Sequence, residues 1–273
     1  MDKKVQPRKT DMFNMGDQQQ QQDNDDCFCQ NGIDDLLQYN KNWAHNIQHE
    51  DPDFFNKLAK SQNPDYLWIG CSDSRVPAET LTGLGPGQVF VHRNVANQII
   101  HTDLNALSVV QYAVDVLKVK HIIICGHYQC GGVKAAIENP KLGLINNWLL
   151  HIRDLYLRYK KDLDRIQDMS KKVDKLCEMN IAQQMYNLGN STILQAAWAR
   201  GQEITINAWI YSLKDGTITE LDYAASSREV FEEVQERALK SIIKNIPDTD
   251  EYTGRLTKRQ SSIVVRNSDQ FHH

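Results

Sequence analysis

Apolar residues at helical spacing predict a helix over 33–50, with Leu36, Leu37, Trp43 and Ile47 along one face. Asp51-Pro52 ends it, and Phe54, Phe55 and Leu58 start a second short helix. The pattern then changes period. Tyr66 to Gly70 is a short apolar run behind Pro64, which reads as a buried strand, so that Cys71 falls just past its carboxyl end. Val89-Phe90-Val91 follows the turn Gly85-Pro86-Gly87 as a second strand. Asp103 to Lys118 is helical, with Leu104, Leu107, Val110, Val114 and Leu117 on one face. His121 to Cys125 is a β-branched strand, with His127 just beyond it, and Gly131-Gly132 opens into another helix.

Long helical patterns cover about 145–167 and 172–200. Ile204 to Tyr211 alternates as a strand, Lys214-Asp215-Gly216 turns the chain, Ile218 to Leu221 returns, and 226–244 is a last helix. Strand and helix alternate in the order expected of an α/β fold. A central, mostly parallel sheet flanked by helices follows, with an N-terminal helical arm at 33–60. In such sheets ligands gather at the carboxyl ends of strands, where both Cys71 and His127 are expected.

Residues 1–32 hold the run Gln18 to Gln22 and an acidic stretch, with little to bury, and read as a disordered tail. Residues 33–245 read as one catalytic domain and 246–273 as a polar C-terminal tail. The chain has 273 residues, 41% of them hydrophobic, enough for a sizeable core. A net charge of -4 gives no electrostatic case for a nucleic-acid partner. No apolar run reaches membrane-spanning length. The N-terminus lacks an apolar signal region and is too acidic for a transit peptide, so the expected location is the cytoplasm. With no export signal, the six cysteines point to metal or free-thiol roles rather than disulfides. Cys27 and Cys29 read as exposed thiols.

Two runs carry the chemistry. Cys71-Ser72-Asp73-Ser74-Arg75 and Gly126-His127-Tyr128-Gln129-Cys130-Gly131-Gly132 together offer two thiolates and an imidazole. That set is one ligand short of a closed zinc tetrahedron, as in a catalytic site. A zinc-bound hydroxide is the expected nucleophile. Asp73 is placed either to orient that oxygen or to become the fourth zinc ligand. Arg75, by pairing with Asp73, holds it off the metal. A structural zinc and a redox site are the competing readings of the same residues.

At these runs the sequence resembles the β-class carbonic anhydrases, over about residues 34–235, and His92-Arg93-Asn94-Val95-Ala96-Asn97 is also similar to that family. The resemblance implies reversible hydration of CO2 to bicarbonate and a proton. It implies one zinc per chain on Cys71, His127 and Cys130, Asp73 and Arg75 as the gating pair, and Asp73 as fourth ligand in a closed state. It is nearest the bacterial-type branch that bicarbonate regulates. There, residues matching Trp68, Arg93 and Tyr211 hold a non-catalytic bicarbonate. Gly85 stands where plant-type members have a glutamine. The family also implies a homodimer or homotetramer in which the N-terminal helices embrace a neighbour. The alternatives are a CS2 or COS hydrolase of the same family and a catalytically silent zinc scaffold. His92, His101 and His151 read first as surface or packing residues and only secondarily as proton carriers.

Overall fold

A computed structural model describes residues 32–246, so the glutamine run, Cys27, Cys29 and the C-terminal tail lie outside the described residues. The chain divides into two units, 1–56 and 57–273. In the first, helix α1 spans Ile33–Glu50 and opens with Asp34 and Asp35 in its first turn, where acidic groups suit the helix dipole. None of its residues is buried: Ile33 is 74% exposed, and Leu36, Leu37 and Tyr39 are also exposed. Trp43 meets Phe55 edge-on, with ring centroids 5.7 Å apart. Helix α2, Phe54–Lys60, follows.

The second unit is built on a five-stranded sheet. Strands β1 (Tyr66–Cys71), β2 (Val89–Asn94), β3 (His121–His127), β4 (Thr205–Tyr211) and β5 (Ile218–Glu220) run in the spatial order β2-β1-β3-β4-β5. The first four are parallel, and β5 pairs antiparallel with β4. The chain steps from β1 outward to β2, then returns to place β3 on the other side of β1. The carboxyl ends of β1 and β3 therefore flank the switch point of the sheet, the usual crevice for a ligand. Cys71 and His127 are the last residues of those two strands rather than residues just beyond them.

Side chains alternate between two faces of a strand. Leu67, Ile69, Ile122, Ile124, Ile206 and Ala208 enter the larger core. Trp68, Ile123, Cys125 and Tyr211 enter a smaller cluster with Val76 and Ala78. The helices on the larger core are α4 (Leu104–Gln111), which runs into a π-helical turn over Tyr112–Leu117, then α5 (Gly131–Glu138) and α6 (Ile145–Arg158). After them come α7 (Lys160–Leu163), α8 (Met169–Gly189), α9 (Thr192–Ala199) and α10 (Arg228–Lys244). A short helix α3, Ala78–Thr82, lies between β1 and β2 and has no counterpart in the sequence reading.

Both long helical patterns are interrupted. The first is split at Tyr159, the cap residue shared by α6 and α7. In the second, the Ser191 hydroxyl accepts from the Leu194 N–H at 3.3 Å and starts α9 afresh. The last residue of α8 is Gly189, where a Cβ would lie 2.2 Å from the Phe231 ring of α10.

Candidate metal centre

Cys71 ends β1 and Cys130 stands at the N-terminal cap of α5, with their sulfurs 3.9 Å apart. His127 ends the neighbouring strand β3 and is 1% exposed. Its Nδ1–H donates to the Tyr128 carbonyl at 3.0 Å, which leaves the lone pair on Nε2. That Nε2 is buried and has no hydrogen-bond partner. It and the two sulfurs lie within 4.8 Å of one another, and no other such trio of metal-ligating side chains occurs among the described residues. An orphaned imidazole nitrogen facing two close sulfurs fits a soft divalent cation such as zinc, whose sites are built from sulfur and nitrogen.

The two thiols share their acidity. Cys71 is brought down to about 4, chiefly because Cys130 donates to it, with His127 and the Asp73 and Ala96 amides helping against burial. Cys130 is pushed well up by the same bond and by burial. Sharing a proton across 3.9 Å splits the pair, with one thiol readier to ionise and the other holding its proton.

Asp73 lies at the edge of this trio. Its Oδ2 is 3.7 Å from His127 Nε2. Arg75 holds the carboxylate by two side-chain bonds, Nε to Oδ1 at 2.9 Å and Nη2 to Oδ2 at 2.7 Å, and its main-chain N–H adds a third at 3.0 Å. This bidentate pairing keeps the Asp73 carboxyl well below the usual carboxylate range. The Arg75 side chain is 60% exposed, so the pair is open to solvent on the arginine side.

Trp68 and Tyr211 are buried together in the smaller cluster, and Trp68 meets Trp209 edge-on at 6.3 Å. The indole Nε1 of Trp68 is buried without an acceptor. It lies over Gly70, where a Cβ would come within 2.3 Å of it, so only glycine fits. Arg93 ends its reach on the main chain beside Cys71. Its Nε donates to the Cys71 carbonyl at 2.7 Å and its Nη2 to the Asp73 carbonyl. His92 is buried against Asn94, whereas His101 and His151 are exposed. Cys125 and Cys177 are buried thiols, each pushed up by burial.

The sequence reading missed the residues that brace the two ligand loops. From α8, the Asp174 carboxylate accepts from the Gln129 main-chain N–H at 3.0 Å and from its side-chain amide at 2.7 Å. This fixes Gln129 at a left-handed φ of 56° between His127 and Cys130. Glu178 accepts from the Tyr128 hydroxyl at 3.0 Å. Asn180, Gln184 and Asn187 bond to the segment 96–99. The available signal was a row of polar residues at helical spacing within an otherwise buried helix.

A family model for carbonic anhydrase matches residues 66–218, which take in strands β1 to β4 and the runs 71–75 and 126–132. A carbonic anhydrase of Emericella nidulans is 44% identical over 189 residues, covering 69% of this chain and 83% of that one. A tetrameric β-carbonic anhydrase of Sordaria macrospora superposes with a TM-score of 0.67 at 39% identity, covering 70% of this chain and 97% of its own. A Coccomyxa β-carbonic anhydrase in complex with acetazolamide gives 0.71 at 36% identity, covering 77% and 97%. With the matched span, these relatives and the Cys71-His127-Cys130 cluster in agreement, the chain belongs to the β-carbonic anhydrase family and is an enzyme of that class.

Proposed function

We propose that this enzyme interconverts CO2 with bicarbonate and a proton at a zinc held by Cys71, His127 and Cys130, and that Asp73 and Arg75 gate the site. The observation that carries the proposal is the unpartnered His127 Nε2 facing two sulfurs, with the Asp73 carboxylate 3.7 Å away. Zinc, when bound, supplies the Lewis acidity that makes water nucleophilic near neutral pH. Two thiolates and a neutral imidazole offset its charge, and the Tyr128 carbonyl holds the imidazole in the tautomer that offers Nε2. Asp73, kept in its carboxylate form by the Arg75 pairing, would accept a hydrogen bond from a water at the site and aim its oxygen at CO2.

The gate works through Arg75. Because Asp73 stays ionised, protonation of its carboxylate is not the trigger in the neutral range. A carboxylate released from Arg75 is near enough to the trio to become a fourth ligand and close the site. The regulatory bicarbonate is assigned to Trp68, Arg93 and Tyr211, and the closed, bicarbonate-sensitive behaviour of the bacterial-type branch goes with it. The orphaned Trp68 indole supports this, since a buried unpaired donor costs about 1–3 kcal/mol and an anion would supply its acceptor. A homodimer or homotetramer is proposed from the exposed apolar residues of α1 and from the tetrameric Sordaria relative. The proposed location is the cytoplasm, and no helix among the described residues is long and apolar enough to cross a membrane.

The test is stopped-flow CO2 hydration by the zinc-loaded protein across pH, with and without bicarbonate. Hydration that rises on the alkaline side and is inhibited by bicarbonate is expected, with Trp68→Ala relieving the inhibition at unchanged zinc content. Absence of hydration at every pH would overturn the activity. Unaltered bicarbonate inhibition in Trp68→Ala would overturn the bicarbonate site and the gate it controls while leaving the activity standing.

A further inference from the structure

Helix α8 turns a row of carboxamides into the core rather than toward solvent. Asn180 is 1% exposed and Gln184 is 3% exposed. Gln184 Nε2 donates to Asn180 Oδ1 at 2.9 Å, which fixes the orientation of the Asn180 amide. Asn180 Nδ2 then donates to the Ala96 carbonyl at 2.9 Å. Gln184 Oε1 accepts from the Ile99 N–H at 2.7 Å, so the segment is held at two points.

That segment is bent in an unusual way. Ala96 has φ 63° and ψ 33°, and Asn97 has φ 46°, so two consecutive residues with side chains adopt left-handed backbone. Such a conformation persists where the surroundings impose it. Its consequence is local: the Ala96 N–H points at the Cys71 sulfur, 3.4 Å away.

We propose that Asn180 is a positioning residue for the Cys71 ligand, holding Ala96 in the left-handed turn from which its main-chain N–H caps the Cys71 sulfur. The proposal rests on the reading of Cys71, His127 and Cys130 as a metal site. An N–H bonded to a coordinated thiolate withdraws charge from the sulfur and fixes its direction. Outer partners of this kind govern how tightly and in what orientation a ligand holds its metal. A purely structural amide would contribute to stability and leave the sulfur's electronic state unchanged.

The experiment uses the full chain loaded separately with cobalt(II) and with zinc. Asn180→Asp, read at a pH above the ionisation of its carboxyl, keeps the shape and the acceptor for Gln184 while removing the donor to Ala96. Loss of the cap raises the energy of the sulfur lone pairs, so the thiolate-to-cobalt charge-transfer band moves to lower energy. Loosening the loop weakens zinc retention about tenfold, read by competition with a chelator. Adding Ala96→Gly to this variant moves the band back toward wild type, because glycine adopts the left-handed conformation without the steric cost that alanine carries. Should Asn180→Asp fail to fold, Gln184→Glu removes the donor that orients the Asn180 amide and gives a smaller shift in the same direction. A band and a zinc affinity equal to wild type in a folded, cobalt-loaded variant overturn the proposal alone. Failure of the wild type to take up either metal overturns the metal site and this proposal together.

Discussion

The two loops that leave β1 and β3 stand side by side and are held in different ways. The 71–75 loop ends in a solvent-facing ion pair, Asp73 with Arg75, and its main chain is tied to β2 through Arg93 and through the Ser72 N–H on the Asn94 carbonyl. The 127–130 loop is tied inward. The Tyr128 N–H bonds to the Tyr211 carbonyl of β4, and Asp174 and Glu178 of α8 secure Gln129 and Tyr128. One loop has a side that solvent and ions can reach, and the other is locked against the sheet and α8. The contrast suits the proposed gate, in which Asp73 is the group that moves while His127 and Cys130 stay held.

The largest effect tests whether the locked loop is indispensable. Cys130→Ser should remove zinc, measured by atomic absorption, and bring CO2 hydration down to the uncatalysed background. Retention of one zinc per chain with measurable activity would break the comparison.

A smaller effect separates the loops by kind. Arg75→Ala should leave zinc content intact, lower kcat/KM by about 10²-fold through a misplaced Asp73, and change the pH profile. Asp174→Ala should instead weaken zinc retention about tenfold and leave the shape of the profile unchanged. The reverse pattern would mean that the gate lies in the 127–130 loop.

The smallest effect concerns acid stability. Asp73 has a folded pKa below its unfolded value, so its contribution is fully present above an unfolded carboxylate pKa of about 4 and is lost as pH falls through the folded value. Denaturant unfolding of the metal-free protein should therefore show Asp73→Asn less stable than wild type by a constant margin above about pH 5, with the two converging in strong acid. A margin that widens as pH falls would contradict the assigned ion pair.

Much of the fold was legible because strand and helix periods are local. The five strands and α1 follow their hydrophobic patterns closely, and the spacing of Cys71, Asp73, Arg75, His127 and Cys130 carries the chemistry within two short runs. The helical pattern 172–200 was read as continuous because periodicity does not register Ser191 as a cap until its hydroxyl is seen on the Leu194 N–H. The α3 helix was missed because its five residues are too few to show a period.

By itself the sequence determined the α/β order, and it carries the residues proposed as ligands in two short runs, since each of these depends on neighbours a few residues apart. Only the tertiary structure decided how those atoms are held. The bonds from Asn180 to Ala96 and from Gln184 to Ile99 join residues 84 and 85 positions apart. The polar row on α8 is visible in the sequence, but which carbonyl or N–H each amide meets is set by the packing of α8 on the sheet and not by local propensity. The same holds for Gly70 beneath the Trp68 ring, whose necessity becomes visible only when the side chain is seen folded over it.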